Sequence, residues 1–343
     1  MSKAKTRSLP FGPPVEPMLA KLQRELPPGE GWLYEPKWDG FRSIVFKEGD
    51  DVFIQSRDLK PFNRYFPELV PVLADALPGS WVVDGEIVVP GPDGRLEFDM
   101  LQMRIHPAES RIRMLAKQTP SSFIAFDLLA EGREDLRRAP FAERRARLAR
   151  ALGKAGNPAK RKIGRTQVLI TPQTADPDEA ETWFDGLSRL GVEGVVAKRP
   201  DLTYRPGDRA MVKVKHVKTA DCVVGGYRMS KSGKGIGSLL LGLYDDQGTL
   251  HFVGHTASFK ADERVKILEM LKPLEGESFG RGRTPGGPSR WTQQELPWIT
   301  VKPVLVCEVQ FDKLQGDRFR HATTFVRWRN DRDPKSCTFE QIT

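Results

Sequence analysis

The stretch Tyr34-Glu35-Pro36-Lys37-Trp38-Asp39-Gly40-Phe41-Arg42 sets one lysine among bulky apolar residues, and its reading decides how the rest of the chain is organised. Residues 32–38 and 41–46 read as two short strands. Asp39-Gly40 between them reads as a tight hairpin turn, because Asp-Gly suits the positive φ angles such a turn needs. Side chains alternate along a strand, so Lys37 and Asp39 share one face. A strand-end lysine is most often a solvated edge residue. The alternative is a nucleophile. A lysine amine attacks only when neutral, and at an unperturbed pKa of about 10.4 roughly one molecule in two thousand is neutral at pH 7. Nearby cations and partial desolvation lower that pKa, so a nucleophilic Lys37 calls for further positive charge and a phosphate-bearing substrate. Asp39 opposes this unless it is engaged elsewhere.

The chain can supply such charge. Its 343 residues favour two domains of ordinary size. A net charge of +9 with a charged fraction of 29% fits a folded protein with a polyanionic partner better than a disordered tail. Cys222, Cys307 and Cys337 are too few and too far apart for a disulfide framework or a Cys-rich zinc site, which points to a reducing cytoplasm. The basic N-terminus runs into Pro10, Pro13 and Pro14 rather than an apolar segment, so no secretory signal is expected. No run of eighteen apolar residues suggests a membrane span. His251 and His255 are the nearest approach to a histidine pair, and their spacing in a strand-like stretch is more often structural than metal-binding.

Along the chain, residues 1–30 are Pro-rich and read as an irregular, extended arm. Strands are expected at 51–56, 81–89, 122–129, 193–198 and 211–215, and helices at 66–77, 98–104, 109–116 and 177–190. The strand at 81–89 puts Asp84 and Glu86 on one face, and acids inside a β-branched strand are costly to bury unless paired or metal-bound. Residues 140–151 form a basic amphipathic helix, read as a solvated face and nothing more. Lys213 and Lys215 share a strand face within a basic stretch from Thr203 to Leu240. The domain boundary falls there, giving domains of 1–217 and 218–343. Beyond it, strands at 221–229, 237–245, 250–258, 303–312 and 323–329 with a helix at 260–271 after the third follow the order of the OB fold, a small barrel that commonly binds nucleic acid. In the last strand, alternation sends Val326 and Trp328 into the barrel and Arg327 and Arg329 outward. Residues 273–300, with Arg281, Arg283 and Arg290, read as a basic loop or an unstructured insertion.

Several polar signals recur in order: Lys37-Trp38-Asp39-Gly40, Ser56-Arg57, Asp84-Gly85-Glu86, Phe126-Asp127, Glu193-Gly194-Val195-Val196 with Lys198, and Lys213-Val214-Lys215. Together they resemble the six-part signature of covalent nucleotidyltransferases, and Arg329-Asn330-Asp331-Arg332 resembles the further motif at the end of their OB domain. The resemblance is to ATP-dependent DNA ligases, the small bacterial C-type enzymes in particular. It implies an α+β fold, an ATP-grasp-like nucleotidyltransferase (adenylation) domain followed by an OB-fold β-barrel. It further implies that Lys37 becomes lysyl-AMP, that AMP passes to a nick 5′-phosphate, and that the 3′-hydroxyl displaces it. By the same resemblance Glu35 lies at the adenine end, Phe126 stacks on the base, and Lys198 lies within the nucleotide pocket. Arg42, Arg57, Lys213 and Lys215 meet phosphate. Glu86 reaches the ribose or a metal, Glu193 is a metal carboxylate for Mg²⁺ or Mn²⁺, and Arg329 with Asp331 serves the pyrophosphate. Arg332 stands where many relatives carry lysine, which keeps the charge but not the ammonium geometry.

The partners so implied are ATP and nicked double-stranded DNA, with no membrane, for a monomer in the nucleoid-associated cytoplasm. The partner that would recruit it, such as a repair polymerase, is left open. An RNA ligase or a GTP-using capping enzyme shares the first motif and remains an alternative, as does a non-catalytic OB-type binder. An NAD⁺-dependent ligase is disfavoured, since the four-cysteine zinc module of that family has no counterpart here.

Overall fold

A computed structural model describes residues 8–27, 30–153, 163–186, 190–215, 218–280, 282, 284–285, 297–312 and 314–342. The start of the Pro-rich arm, the end of the helix expected at 177–190, His216, and Arg281, Arg283 and Arg290 lie outside the described residues. The chain divides into two compact units, Met1–His216 and Val217–Thr343.

The first unit runs β1 (Leu19–Gln23), β2 (Leu33–Trp38), β3 (Phe41–Glu48), β4 (Asp51–Ser56), α1 (Leu69–Ala76), β5 (Trp81–Val88), α2 (Phe98–Gln102), α3 (Glu109–Gln118), β6 (Ser122–Glu131), β7 (Glu134–Asp135), α4 (Phe141–Leu152), β8 (Val168–Ile170), α5 (Pro177–Gly186), β9 (Val192–Lys198) and β10 (Arg209–Lys215). Two sheets carry it, one ordered β1-β10-β9-β2 and the other β4-β3-β5-β6-β7 with β8 beside β6. The strands of the second sheet are nearly continuous apolar runs because both faces are covered. Val45, Ile54, Val83, Ile87 and Leu128 pack with Leu69 and Leu73 of α1 on one side, while Phe46, Val82 and Leu129 meet Phe141, Leu202 and Met211 on the other.

Two expectations are corrected here. Residues 32–38 and 41–46 do not form a hairpin: β2 pairs with β9 in the first sheet, and β3 pairs with β4 and β5 in the second. Asp39-Gly40 is the point where the chain changes sheets. Gly40 has no positive φ. It is required because a Cβ there would lie 2.2 Å from the Ile87 carbonyl oxygen and 2.8 Å from Glu86 Cγ. The glycine therefore lets the link between β2 and β3 lie against β5, beside Glu86. The Pro-rich arm, in turn, is not wholly irregular, since β1 lies parallel to β10. Gln55 fixes the arm ahead of β1, accepting from the Val15 N–H at 2.9 Å and donating to its carbonyl at 2.7 Å. A buried side chain that satisfies both backbone groups of an extended residue acts as a strand neighbour does.

The second unit runs β11 (Lys218–Met229), β12 (Ile236–Tyr244), β13 (Leu250–Thr256), α6 (Ala261–Leu271), β14 (Ile299–Thr300), β15 (Val306–Phe311), β16 (Leu314–Gln315), β17 (Arg318–Phe319) and β18 (Thr324–Trp328). Its main sheet is ordered β13-β12-β11-β15-β18, and a bridge between Thr256 and Thr323 joins the two ends of that order. This is an OB-like barrel with its helix after the third strand. Cys222 and Cys307 face each other across β11 and β15 in the core, and Cys337 is buried with them as a free thiol. The expected alternation in β18 fails at Val326, which is 46% exposed. The register slips between Glu308 and Val309, so that Val309 opposes Phe325, Glu308 opposes Arg327 and Cys307 opposes Trp328. Val326 is the unpaired extra residue of a β-bulge, and Phe325 and Trp328 take the inward positions.

Candidate active site

The site lies on one face of the first sheet. In β2, residues alternate so that Tyr34 enters the core while Glu35 and Lys37 face the other way. Pro36 is tolerated because β2 is an edge strand of its sheet. Across the sheet Lys37 stands opposite Gly194 of β9, and Gly194 opposite Lys215 of β10. Gly194 has φ +151 and a Cβ there would lie 2.0 Å from the Val214 carbonyl oxygen, so only glycine fits between the two lysines. Glu193 then reaches both: its Oε2 is 2.5 Å from Lys37 Nζ and 3.5 Å from Lys215 Nζ. Lys213 shares the face with Lys215, and its pKa is lowered by burial and by the positive charges of Lys37, Lys215 and Arg57. Arg57 itself is exposed, just past the end of β4. The positive charge that a nucleophilic lysine calls for is therefore assembled around Lys37.

Opposite this face the second sheet contributes Arg42, Asp84, Glu86 and Phe126. The acids that alternate along β5 have different environments. Asp84 is wholly buried and takes two hydrogen bonds from Arg42, at 3.1 and 2.7 Å, and one from the Tyr204 hydroxyl at 2.7 Å. Tyr204 in turn accepts from the Met18 N–H at 3.1 Å, tying the N-terminal arm to Arg42. Burial and the Asp84 carboxylate raise the Tyr204 phenol well above its usual range. Glu86 makes no such hydrogen bond with a cation among the described residues. Burial pushes its carboxyl up to about 7, with Lys37 and Arg42 partly offsetting the rise and Glu193 adding to it.

Two residues before Lys37 on β2, Glu35 is buried, with Lys198 Nζ 2.7 Å from its Oε2 and Gln173 Nε2 donating to its Oε1 at 3.0 Å. Lys198 Nζ also lies 4.8 Å from the centre of the Phe126 ring, and the Arg42 guanidinium 5.2 Å from it. The half-buried Phe126 ring thus has two cations near it, one of which, Lys198, is paired with Glu35.

The helix at 140–151 is not merely a solvated face. Arg144 is fully buried and donates to both oxygens of Asp127, at 2.7 and 2.9 Å, and to the carbonyls of Ala139 and Leu202. Arg145 is 8% exposed and reaches toward Glu35, with 3.7 Å between Nε and Oε1. The signal was in the spacing: Phe141, Arg144, Arg145 and Leu148 follow the i, i+3, i+4, i+7 pattern of a single helix face, and all four are buried. Tyr204 and Gln173 carried no comparable signal, since each meets the site from a loop remote in sequence.

In the second unit, Arg329 donates through Nη1 to Asp221 at 3.0 and 3.1 Å and through Nε and Nη2 to Asp331 at 2.9 and 2.8 Å. That two-point contact holds the Asp331 carboxyl down to about 2. Arg332 Nε shares Asp221 at 3.0 Å. Asp221, absent from the sequence-based site, is held by Gln341, which accepts from its N–H and donates to its carbonyl.

No group of three or more potential metal ligands occurs among the described residues. Glu86 and Glu193 nonetheless fit a divalent cation: they lie within electrostatic reach of each other, and Glu86 holds its proton up to about 7. Mg²⁺ takes one or two protein carboxylates and completes its shell with water and phosphate oxygens.

A two-sheet domain with an edge-strand lysine among cations, followed by an OB-like barrel, defines a nucleotidyltransferase of the adenylating class. Residues 17–215 match the ATP dependent DNA ligase domain, and residues 232–332 match the ATP dependent DNA ligase C terminal region. The chain belongs to the ATP-dependent DNA ligase family. It is similar to DNA ligase C1 of Mycolicibacterium smegmatis, 49% identical over 97% of this chain and 95% of that protein. It is likewise similar to DNA ligase C of Mycobacterium tuberculosis, 48% identical over the same shares. A solved Lig E DNA ligase shares the fold at a TM-score of 0.54 and 17% identity, covering 92% of this chain and 99% of that one. No helix among the described residues is long and apolar enough to cross a membrane.

Proposed function

We propose that this DNA ligase seals nicks bearing a 5′-phosphate and a 3′-hydroxyl in duplex DNA, in repair, through three transfers. In the first, the neutral Lys37 amine attacks the α-phosphorus of ATP. An N–P bond forms, the bond to the bridging oxygen of the β-phosphate breaks, and pyrophosphate leaves. In the second, a nick 5′-phosphate oxygen displaces Lys37 and takes the AMP. In the third, the 3′-hydroxyl displaces AMP and closes the backbone.

The observation that carries this reading is the convergence of Lys37, Lys213, Lys215 and Glu193 on one sheet face, with Glu86 and Arg42 across from it. Phosphoryl transfer calls mainly for positioning and for neutralising charge on oxygen. Lys213 and Lys215 stand ready to take the non-bridging and leaving oxygens, and Glu193 holds Lys37 Nζ in place at 2.5 Å. A divalent cation held by Glu86 and Glu193 would add charge neutralisation at the α-phosphate. Arg42 is fixed by Asp84 and orders the Phe126 ring, on which the base stacks, while Glu35 and Lys198 close the base end. Arg329 and Asp331 serve the β and γ phosphates during the first transfer only.

The test is incubation with α-labelled ATP and Mg²⁺, followed by addition of a nicked duplex. Label is expected on the protein and then on DNA, and Lys37→Ala is expected to carry none while melting as the parent does. Covalent label on Lys37→Ala would exclude Lys37 as the nucleophile.

A further inference from the structure

Arg145 is a buried cation with an incomplete set of partners. Its Nη2 donates to the Thr171 carbonyl, and the Thr171 hydroxyl accepts from Trp38 Nε1 at 2.9 Å, so the guanidinium is anchored to the residue next to Lys37. Its Nε–H is buried without a hydrogen-bond partner among the described residues. Glu35 Oε1 stands 3.7 Å from it, just beyond hydrogen-bond reach, while Gln173 and Lys198 already hold the two oxygens of that carboxylate. A buried donor left unpaired is unfavourable, so a small rotation of Glu35 that closes this gap is favoured once a ligand meets the carboxylate.

Paired with the Lys198 ammonium and taking the Gln173 amide N–H, the Glu35 carboxylate presents acceptor oxygens only. The ligand edge that meets it must donate. Adenine offers its exocyclic amino group there, whereas guanine offers a carbonyl oxygen at the same ring position, an acceptor facing an acceptor. Selection of this kind rests on a polar group that is held rigidly, since a carboxylate free to turn away forfeits it.

We infer that Arg145 is a positioning residue for nucleobase selection, acting through Glu35: it sets the carboxylate as the acceptor for the amino group of adenine and so makes the site prefer ATP to GTP. This rests on the reading that Glu35 meets the base. The Arg145 fork is needed for it, because one nitrogen is tied to Thr171 while another faces Glu35, which a single ammonium cannot reproduce.

The experiment measures self-adenylation or self-guanylation with α-labelled ATP, GTP and purine riboside triphosphate, which lacks the amino group, in the parent, Arg145→Met, Arg145→Lys and Glu35→Gln. The parent is expected to prefer ATP over both analogues. In Arg145→Met that preference, taken as a ratio of kcat/KM values, falls by about tenfold or more, chiefly through KM for ATP; Arg145→Lys recovers only part of it. Glu35→Gln, whose amide can donate as well as accept, relaxes the ratio too. If Glu35→Gln relaxes it and neither Arg145 variant does, the inference fails and the reading of Glu35 stands. If no variant changes the ratio, Glu35 does not meet the base and both fail. A uniform loss for all three nucleotides, matched by a lower Tm, would make Arg145 structural and overturn the inference. Should Arg145→Met not fold, Arg145→Lys and Gln173→Leu carry the same comparison, and an unchanged ratio in both overturns it.

Discussion

The arginines of the first unit and those at the end of the second make opposite uses of one chemistry. Arg144 is sealed inside, with its Nε, Nη1 and Nη2 all bonded to Asp127 and two backbone carbonyls. Arg327, Arg329 and Arg332 stand on the barrel rim, and their side chains are 63%, 17% and 39% exposed. Their partner Asp331 is 68% exposed, and Asp221 is shared between Arg329 and Arg332. A buried ion pair is tolerable only when every hydrogen bond is made, and breaking it leaves a charge with nowhere to go. An exposed pair competes with water at every moment and can be exchanged for a phosphate at little cost. The first arrangement fixes a pocket; in the second, Arg327 holds a pair of the exposed kind, while Arg329 spans from the buried Asp221 to the exposed Asp331.

The sharpest way to break that comparison is Arg144→Met. It strands Asp127 in the core, and the loss expected for an orphaned buried charge is about 3 to 5 kcal/mol of unfolding free energy. Chemical denaturation at pH 7 reads it as a lower midpoint at unchanged m-value. A loss under about 1 kcal/mol would mean that the pair is not the anchor of α4. Next comes Arg329→Ala, expected to slow self-adenylation about 30- to 1000-fold while sealing of a nick already carrying 5′-AMP stays near the parent rate. Later steps contain no triphosphate, so single-turnover assays of the two reactions separate the roles. Equal defects in both would make Arg329 a DNA contact, and no defect would leave it a solvated rim residue.

Much of the site was legible because chemistry-bearing residues sit on strands whose alternation is plain. Lys213 and Lys215 could be placed on a shared strand face from parity alone, and Asp84 and Glu86 stood out because acids inside a β-branched run must find partners. What failed was everything set by a neighbour remote in sequence. Asp39-Gly40 looked like a hairpin turn because its dipeptide suits one, yet Gly40 answers to the Ile87 carbonyl of another strand. Val326 looked inward because alternation assumes an unbroken ladder, and a bulge opposite Glu308 and Val309 broke it. Arg144 and Arg145 looked solvated because charge was given more weight than helical spacing, when their position between Phe141 and Leu148 already put them on the buried face.

A smaller effect than Arg329→Ala is expected at Glu86, which is part-buried and, unlike the acids of either region, has no hydrogen-bonded cation among the described residues. Its carboxyl is raised from 4.5 to about 7, chiefly by burial. As pH rises past the unfolded value, the unfolded chain releases this proton while the folded chain keeps it. Stability therefore falls between about pH 4.5 and 7 and is level above. Glu86→Gln resembles the protonated form and lacks this loss. In metal-free protein it is expected to change Tm little at pH 4 and to add at most about 3 kcal/mol at pH 8, less whatever solvent screens. A gain that is the same at both pH values would remove the titration from the account.

The smallest expected effect belongs to Arg327. It donates to Glu308 at 2.6 Å, a geometry as short as that of Arg144 with Asp127. If distance decided the energy, losing it would cost as much. Exposure argues otherwise: with 63% of its side chain in water, Arg327 gives up hydration and side-chain freedom to hold the pair, and salt screens what is left. Glu308 is not stranded by the change, because Arg329 Nη1 lies 3.9 Å from it. Arg327→Ala is therefore expected to cost under about 1 kcal/mol in low salt and less at 0.5 M NaCl, and to leave self-adenylation intact. Denaturation curves at the two salt concentrations check this. A loss comparable to that of Arg144→Met, or one that salt does not diminish, would show that the rim pair is held as the buried one is, and the contrast between the two units would fall.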